Sequence, residues 1–472
     1  MDLDKDLAAR QEARTLCQQA EQAQKTLAGF SQEKLDEIVE AVAKAFSAAA
    51  VELAELAVRE TGFGNVNDKV TKNRFASETV AKTVRGQKCV GVLKEDPKEK
   101  LWEVGVPVGV ICGIVPSTNP TSTVCYKSLI ALKSGNAIVF SPHPKAVSCT
   151  LRAAQIVAEA AEKAGAPSGA VGCLSYASMA GCQELMGAKE VRLILATGGP
   201  GMVKAAYSSG KPAIGVGAGN GPAYIHRTAD VRQALGCILK SKTFDNGTVC
   251  ASEQSIIMEK SMEEQVKTAA RGMGFYFMSK EEALQLAKLL FRPTGALNPE
   301  IVGKPALKLA ELAGFSVPQD TKILVAREEQ AGPNYPYSME KLCPVLAFYV
   351  MENEDAVLNK VVEVLEHEGA GHTFAMHAQD RDAVEKFAKK VPVSRFLVNT
   401  PAALGGIGAT TNLFPALTLG CGAVGGSSSS NNIGPLDLVN IRRVAWGTEE
   451  RQPQVDSDLV ELLAQKILER LK

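Results

Sequence analysis

The sequence predicts an α/β protein whose core is a parallel sheet with helices on both faces. Three observations predict it. Strand-like and helix-like segments alternate from residue 108 past residue 201, and a second stretch of the same character runs from about 228 to 424. The composition is that of an ordinary globular chain, 46% hydrophobic and 22% charged over 472 residues, a length that suits two or three domains with substantial cores.

The elements follow in order. The first sixty residues are rich in Ala, Gln and Glu with helical periodicity, broken near Gly29 and restarted by Ser31. Ser31 ahead of Glu33 and Lys34, then the stripe Leu35, Ile38, Val39, Val42, Ala45 and Phe46, predicts an N-capped amphipathic helix. Short strand-like runs on either side of Lys94-Glu95-Asp96-Pro97 predict a polar hairpin that protrudes. Strands at 108–115, 137–140, 170–175 and 192–196 then alternate with helices at 121–132, 145–164, 179–186 and from about 201. Such a sheet binds ligands at the carboxyl ends of its strands. The second region carries helices at 262–271, 280–290, 356–366 and 381–389, then the Gly/Ser/Asn-rich 425–434 and a last strand at 438–444. Residues 449–457 are polar and contain proline, which suits a linker. A final helix over 458–472, with an N-cap offered by Asp456-Ser457-Asp458, sets Leu459, Leu462, Leu463, Ile467 and Leu471 on one face.

Lys plus Arg and Asp plus Glu are both 52, so bulk charge points to neither a nucleic-acid nor a membrane partner. The 11 cysteines are odd in number and show no Cys-x-x-Cys pair. They suit a reducing interior and offer no metal-ligand spacing. The start, Met1-Asp2-Leu3-Asp4-Lys5-Asp6, is too charged for a signal peptide, and no apolar run is long enough to span a bilayer. The expected location is the cytoplasm or a compartment within it.

The stretch from Lys242 to Ser252 is the most informative. It places one thiol, Cys250, after a turn-forming Asp245-Asn246-Gly247 and before the strand-like 255–258. A thiol on such a turn points into a cleft, where backbone N–H groups near the sulfur favour thiolate. By contrast Cys17, Cys112, Cys125, Cys149, Cys173, Cys182 and Cys237 sit in apolar or helical patterns and are expected in the core. Asn119 follows the first strand of the alternating region, and its NH₂ can donate to an oxyanion with the Cys250 N–H as second donor. The same Thr118-Asn119-Pro120 also reads as a plain turn. Gly198, Gly199 and Gly201 lie where a strand turns into a helix and permit close approach of a pyrophosphate, although the G-x-G-x-x-G fingerprint is absent. Among the histidines, His226, His367 and His377 read as structural, whereas His143 and His372 lie on expected loops near these segments.

Taken together, these segments resemble the CoA-acylating aldehyde dehydrogenases, especially the acetaldehyde and propionaldehyde dehydrogenases of bacterial microcompartments. The matching stretches are Ile114 to Thr121, Ala196 to Gly201, Gly215 to Pro222, the Cys250 segment, Glu340 to Val345, Gly371-His372-Thr373, and Gly425 through Pro435. They cover nearly all of the chain up to the linker. The resemblance implies an aldehyde dehydrogenase fold: a Rossmann-like nucleotide-binding domain over 1–224 with an oligomerisation hairpin at 88–105, and an α/β catalytic domain over 225–430. A returning oligomerisation strand over 431–448 would cross a subunit boundary of a dimer or tetramer.

The resemblance also assigns roles. Cys250 becomes the nucleophile and Asn119 the oxyanion donor. Ser141, His143, Thr197, Gly198, Gly199, Gly201, Gly217 and Glu340 fall at the nicotinamide cofactor, with Glu340 on its ribose. Thr118, Val249, Ala251, Gly426 and Ser427 fall along the acyl pocket. NAD is the implied cofactor, CoA the co-substrate and a short-chain aldehyde the substrate. Where many relatives place a Lys and a Glu at the adenosine ribose, this chain reads Phe140-Ser141-Pro142-His143-Pro144-Lys145, which leaves NADP open.

The most discriminating feature is an absence. Hydrolytic aldehyde dehydrogenases carry a glutamate at the position matching Val216, and no acidic residue occurs from 211 to 225. Without a placed base, water is a poor nucleophile at neutral pH, whereas a thiol needs less help. The expected acyl acceptor is therefore CoA. Hydrolysis to a carboxylic acid and a non-catalytic microcompartment protein are the rival readings. The final helix resembles the encapsulation peptides of microcompartment cargo and would meet shell proteins; packing between subunits is its alternative use.

Overall fold

The computed structural model describes residues 4–448 and 457–471. Of the predicted linker at 449–457, residues 449–456 lie outside them and Ser457 begins the last helix. Helices α1 (Lys5–Leu27), α2 (Gln32–Ala48), α3 (Ala50–Thr61) and α4 (Val66–Arg74) open the chain, and a π-turn leads to α5 (Val80–Val84). Ser31 caps α2 by accepting from the Lys34 N–H at 3.3 Å, and Leu35, Ile38, Val39, Val42 and Phe46 are buried along its inner face. The predicted hairpin is β1 (Gly91–Asp96) with β2 (Leu101–Pro107).

The alternating region is β3 (Val110–Ile114), α6 (Pro120–Lys133), β4 (Ala137–Ser141), α7 (Val147–Lys163), β5 (Val171–Cys173), α8 (Met179–Gly187), β6 (Val191–Thr197), α9 (Pro200–Tyr207) and β7 (Ala213–Val216). It forms a five-stranded parallel sheet in the order β5-β4-β3-β6-β7. Every residue of β3 and β4 is buried, as helices on both faces require.

A second parallel sheet holds seven strands. In chain order the segments are β8 (Gly221–Ile225), α10 (Val231–Thr243), β9 (Glu253–Glu259), α11 (Glu263–Arg271), β10 (Phe275–Phe277), α12 (Lys280–Leu290), α13 (Ala306–Ala313), β11 (Ile323–Arg327), β12 (Val345–Met351), α14 (Glu354–His367), β13 (Gly371–His377), α15 (Arg381–Ala388), β14 (Val393–Val398) and α16 (Ala402–Gly406). Their order is β10-β11-β12-β9-β8-β13-β14. The sequence-based boundary at 224 falls inside β8, whose residues already pair with β9 and β13. The chain changes sheets at 217–220, and the apolar run after it gave no sign of the change.

β15 (Val439–Ala445) pairs antiparallel with β2, Val439 opposite Pro107 through Ala445 opposite Leu101. The late strand thus joins the hairpin with which it was expected to form the oligomerisation element, and it satisfies the backbone of one β2 edge. Trp446 lies edge-on to Trp102 at 4.9 Å between ring centroids. Before β15, the segment from α16 onward folds back on the first sheet. Ala403, Ile407, Ala416, Leu419, Ile433 and Leu438 share one apolar cluster with β3, β4 and β6, which closes a cavity between the two sheets.

The last helix, α17 (Ser457–Arg470), leaves Leu459, Leu462, Leu463, Ile467 and the following Leu471 between 50% and 79% exposed. Among the described residues no helix is long and apolar enough to cross a membrane.

Candidate active site

The carboxyl ends of β3, β6 and β7 meet the amino ends of β9 and β12 around a single cavity. Only the first sheet offers its carboxyl ends; the second brings in residues that precede its strands. Cys250 lies half-buried in this wall, three residues ahead of β9.

The loop that carries Cys250 is strained. Asp245, Asn246 and Gly247 have φ of 48°, 52° and 77°, a left-handed run that Asn, Asp and Gly tolerate better than other residues. Side-chain bonds hold it there. Asp245 accepts from the Asn65 N–H at 2.8 Å and from the ammoniums of Lys69 and Lys72 at 3.0 and 2.5 Å. Its own N–H donates to Asp68 at 2.7 Å, and the Asn246 amide donates to the Gly303 carbonyl at 2.9 Å.

Gly219 makes the close packing behind the thiol possible. A Cβ there would sit 1.9 Å from the Cys250 carbonyl oxygen, while its N–H donates to Glu340 at 2.9 Å. Gly219→Ala is therefore expected to displace the Cys250 loop, destabilise the fold by about 1–3 kcal/mol and cut turnover at least about tenfold. Denaturant unfolding read beside an NADH assay checks both effects.

Asn119 ends the β3 loop as the residue before α6, and its side chain does not cap that helix. Its Oδ1 accepts from Lys72 Nζ at 2.5 Å, and its Nδ2 lies 3.1 Å from Thr118 Oγ1 and 3.4 Å from the Thr248 carbonyl. The amide thus turns its NH₂ toward the Cys250 loop, as an oxyanion donor must.

The electrostatics of the thiol reverse one expectation. Burial, then Glu340 and Cys421, push the Cys250 thiol up to about 12, against the opposite pull of Arg395 and its own backbone N–H. The turn alone does not yield a thiolate, because burial outweighs it and Glu340, distant in sequence, adds to the same direction. Glu340 is itself raised to about 8, by burial and by Glu368, whose carboxylate accepts the Glu340 N–H at 2.6 Å. Glu340 ionises as pH rises through 8, and its charge then opposes thiolate formation. Glu340→Gln is expected to speed Cys250 alkylation by iodoacetamide several-fold above pH 8 and to change it little below pH 7.

Of the residues proposed from the sequence, Thr118, Asn119, His143, Thr197, Gly198, Gly199, Gly217, Val249, Cys250 and Glu340 line this cavity. Five do not. Ser141 is buried at the end of β4, its carbonyl accepting from the Val115 N–H at 3.1 Å. Gly201 lies in the first turn of α9, just beyond the lining Pro200. Ala251 is fully buried against Gly406. Gly426 lines a neighbouring cavity with Tyr207 and Glu368, and Ser427 is tied to the Gly215 carbonyl at 2.9 Å. Ile407, Leu417 and Leu419 supply apolar wall in their place. His372 is not on a loop. It is fully buried within β13, its Nδ1 is 2.9 Å from Thr373 Oγ1, and burial lowers it to about 3, so the ring is neutral.

The surroundings fit a dinucleotide. No side chain caps α9, and in its first turn Pro200 has no N–H while Met202 donates to the Gly199 carbonyl at 3.0 Å, so the Gly201 N–H is the donor left beside the cavity. A Cβ at Gly199, Gly201 or Gly217 would meet nothing within 4 Å, so these glycines leave open room at the cavity's edge rather than serving internal packing. Among the described residues, no group of three His, Cys, Asp or Glu side chains is placed to hold a metal ion.

Two parallel sheets with a thiol in the cavity between them make up the architecture, and comparison with known proteins gives its class. Residues 4–272 match the model of the Aldehyde dehydrogenase family, and the chain belongs to that family. It is 47% identical over 443 residues to the bifunctional aldehyde-alcohol dehydrogenase AdhE of Escherichia coli K12, covering 93% of this chain and 50% of that protein. The chain thus spans about half the length of the aldehyde-alcohol dehydrogenases it matches. An acetylating aldehyde dehydrogenase from Geobacillus thermoglucosidasius superposes with a TM-score of 0.94 at 47% identity, over 96% of this chain and 100% of that one. A propionaldehyde dehydrogenase from the Clostridium phytofermentans fucose utilisation bacterial microcompartment does so with a TM-score of 0.84 at 27% identity, over 93% and 99% of the two chains.

Lys72 was not found from the sequence. In a polar helix beside Asp68 and Lys69 it resembles solvated surface, yet it is only 3% exposed and lines the cavity. Arg395 was also missed. Only 2% exposed, it donates to the Gly420 carbonyl at 2.7 Å and fixes the loop that follows Leu419.

Proposed function

We propose that this chain is a CoA-acylating aldehyde dehydrogenase that converts a short-chain aldehyde, NAD and CoA into acyl-CoA, NADH and a proton. The observation that carries the reading is the meeting of Cys250 with Asn119 in a cavity whose β7 wall ends in buried Val216, where a water-activating carboxylate would otherwise stand. Likeness to the acetylating aldehyde dehydrogenase of Geobacillus thermoglucosidasius supports the same acceptor.

The Cys250 sulfur adds to the aldehyde carbon and releases to solvent the proton that appears in the net reaction. The Asn119 NH₂ and the Cys250 N–H then receive the developing oxyanion in a largely desolvated site. NAD, when bound, would supply the hydride acceptor. The α9 N-terminus with Gly198 and Gly199 would hold its pyrophosphate, and Glu340 would accept from its ribose. Cys250 is left as a thioester, which the CoA sulfur attacks, returning the thiol. Ile407, Leu417 and Leu419 keep the acyl group in apolar surroundings and exclude water. NADH formation measured with and without CoA, across two-, three- and four-carbon aldehydes, tests the reading.

The exposed apolar face of α17 supports a finer proposal, that this helix binds a microcompartment shell protein. Similarity to the Clostridium phytofermentans enzyme agrees with it. Deletion of 458–472 is expected to leave turnover and oligomeric state unchanged while abolishing co-sedimentation with shell assemblies. Loss of the oligomer with co-sedimentation intact would instead assign the helix to subunit packing.

A further inference from the structure

The buried ammonium of Lys72 touches the two parts of the active site that must stay in register. Its Nζ donates to Asn119 Oδ1 and to Asp245 Oδ2, each at 2.5 Å, and to Thr248 Oγ1 at 2.9 Å. Thr248 also donates to Asp245 at 2.6 Å and lies two residues before Cys250. One side chain from α4 thus bonds both the β3 loop that carries Asn119 and the strained loop that carries the thiol. Lys69 gives the cluster a second cation, pairing with Asp245 and with the Thr118 carbonyl, both at 3.0 Å. Around Lys72 stand Asp245 from the thiol loop, Lys69 and half-buried Asp68 from α4, and the Phe244 ring at 5.5 Å.

We propose that Lys72 is a positioning residue for the oxyanion site, holding the Asn119 amide by its oxygen and polarising its NH₂ toward the substrate. A primary amide has one acceptor end and one donor end, so a cation on Oδ1 decides which end faces the cavity. Drawing charge onto Oδ1 also makes the Nδ2–H groups stronger donors, an effect that grows in a low-dielectric site. Burial lowers the ammonium only to about 8 against the pull of Asp245, so it is charged at neutral pH. Asp245 and half-buried Asp68 offset the two lysines, and of these four side chains it is the Lys72 ammonium that bonds the Asn119 amide beside the place where an oxyanion would form.

This proposal rests on the assignment of Cys250 and Asn119 given above but not on the identity of the acyl acceptor. The test reads the burst of NADH formed in the first turnover, before CoA reacts. In Lys72→Met the burst rate constant is expected to fall about ten- to a hundredfold, with the aldehyde KM within about twofold. Alkylation of Cys250 by iodoacetamide, which forms no oxyanion, is expected to stay within about twofold. In an Asn119→Ala background, Lys72→Met is expected to cost no more than about threefold further, because both act through one amide. If Lys72→Met does not fold, Lys72→Gln, which keeps a donor without the charge, carries the same comparison. An unchanged burst, an additive loss in the double variant, or alkylation that falls in step with the burst would overturn the proposal. Sustained NADH production without CoA would overturn the acylating reading and leave this one standing.

Discussion

Cys250→Ala is expected to lower steady-state turnover by at least about four orders of magnitude, the scale on which removal of a covalent nucleophile is felt. The loss should appear in kcat, because the cavity that binds aldehyde and cofactor keeps its other walls. Stability should change little, since Cys250 is half-buried and the strained turn before it is held by Asp245, Asn246 and Lys72, none of which bonds the sulfur. A protein that melts like the parent, binds NADH like the parent and forms no acyl-enzyme detectable by intact mass is the expected outcome. The ten remaining thiols offer no substitute. All but Cys237 are buried, and Cys237 lies on α10 away from the cavity lining.

Asn119→Ala is expected to reduce kcat about 100- to 1,000-fold, the loss that follows removal of one preorganised oxyanion donor. Its effect on aldehyde KM should be small, because the ground-state carbonyl gains less from that bond than the tetrahedral adduct does. The variant also strands the Lys72 ammonium, which loses one of its three acceptors in a buried site. A modest fall in stability should therefore accompany the kinetic loss. A kcat unchanged within about threefold would remove Asn119 from the oxyanion site.

Much of the fold was legible in the sequence, for identifiable reasons. Four of the five strands of the first sheet and their helices announced themselves as continuous apolar runs with Gly and Pro stops, because helices cover both faces and no polar alternation is needed; the short β7 was not read. β8 was placed on the wrong side of the domain boundary because Gly221–Ile225 is equally apolar and carries no mark of which sheet it joins. A strand's sequence records its pattern, not which edge accepts it.

The site divides similarly. Cys250, Asn119 and Glu340 stand in local motifs, and the cavity brings them together. Gly426 and Ser427 also stand in a matching motif, yet the loop turns them onto α9 and β7, away from the thiol. Lys72 lies 47 residues from Asn119 and 173 from Asp245, so the charges that justify its burial were invisible locally. The raised thiol has the same origin, because the burial that chiefly raises it, and then Glu340, come from the tertiary fold.

The central claim is that CoA, not water, takes the acyl group from Cys250. The most direct test mixes enzyme, NAD and propionaldehyde without CoA, follows NADH, and then adds CoA. The account predicts a burst of about one NADH per active site, a slow residual rate, and a rise of at least about a hundredfold on adding CoA, with acyl-CoA formed in equal amount. Sustained NADH production at the same rate without CoA, with free carboxylic acid as the product, would contradict it.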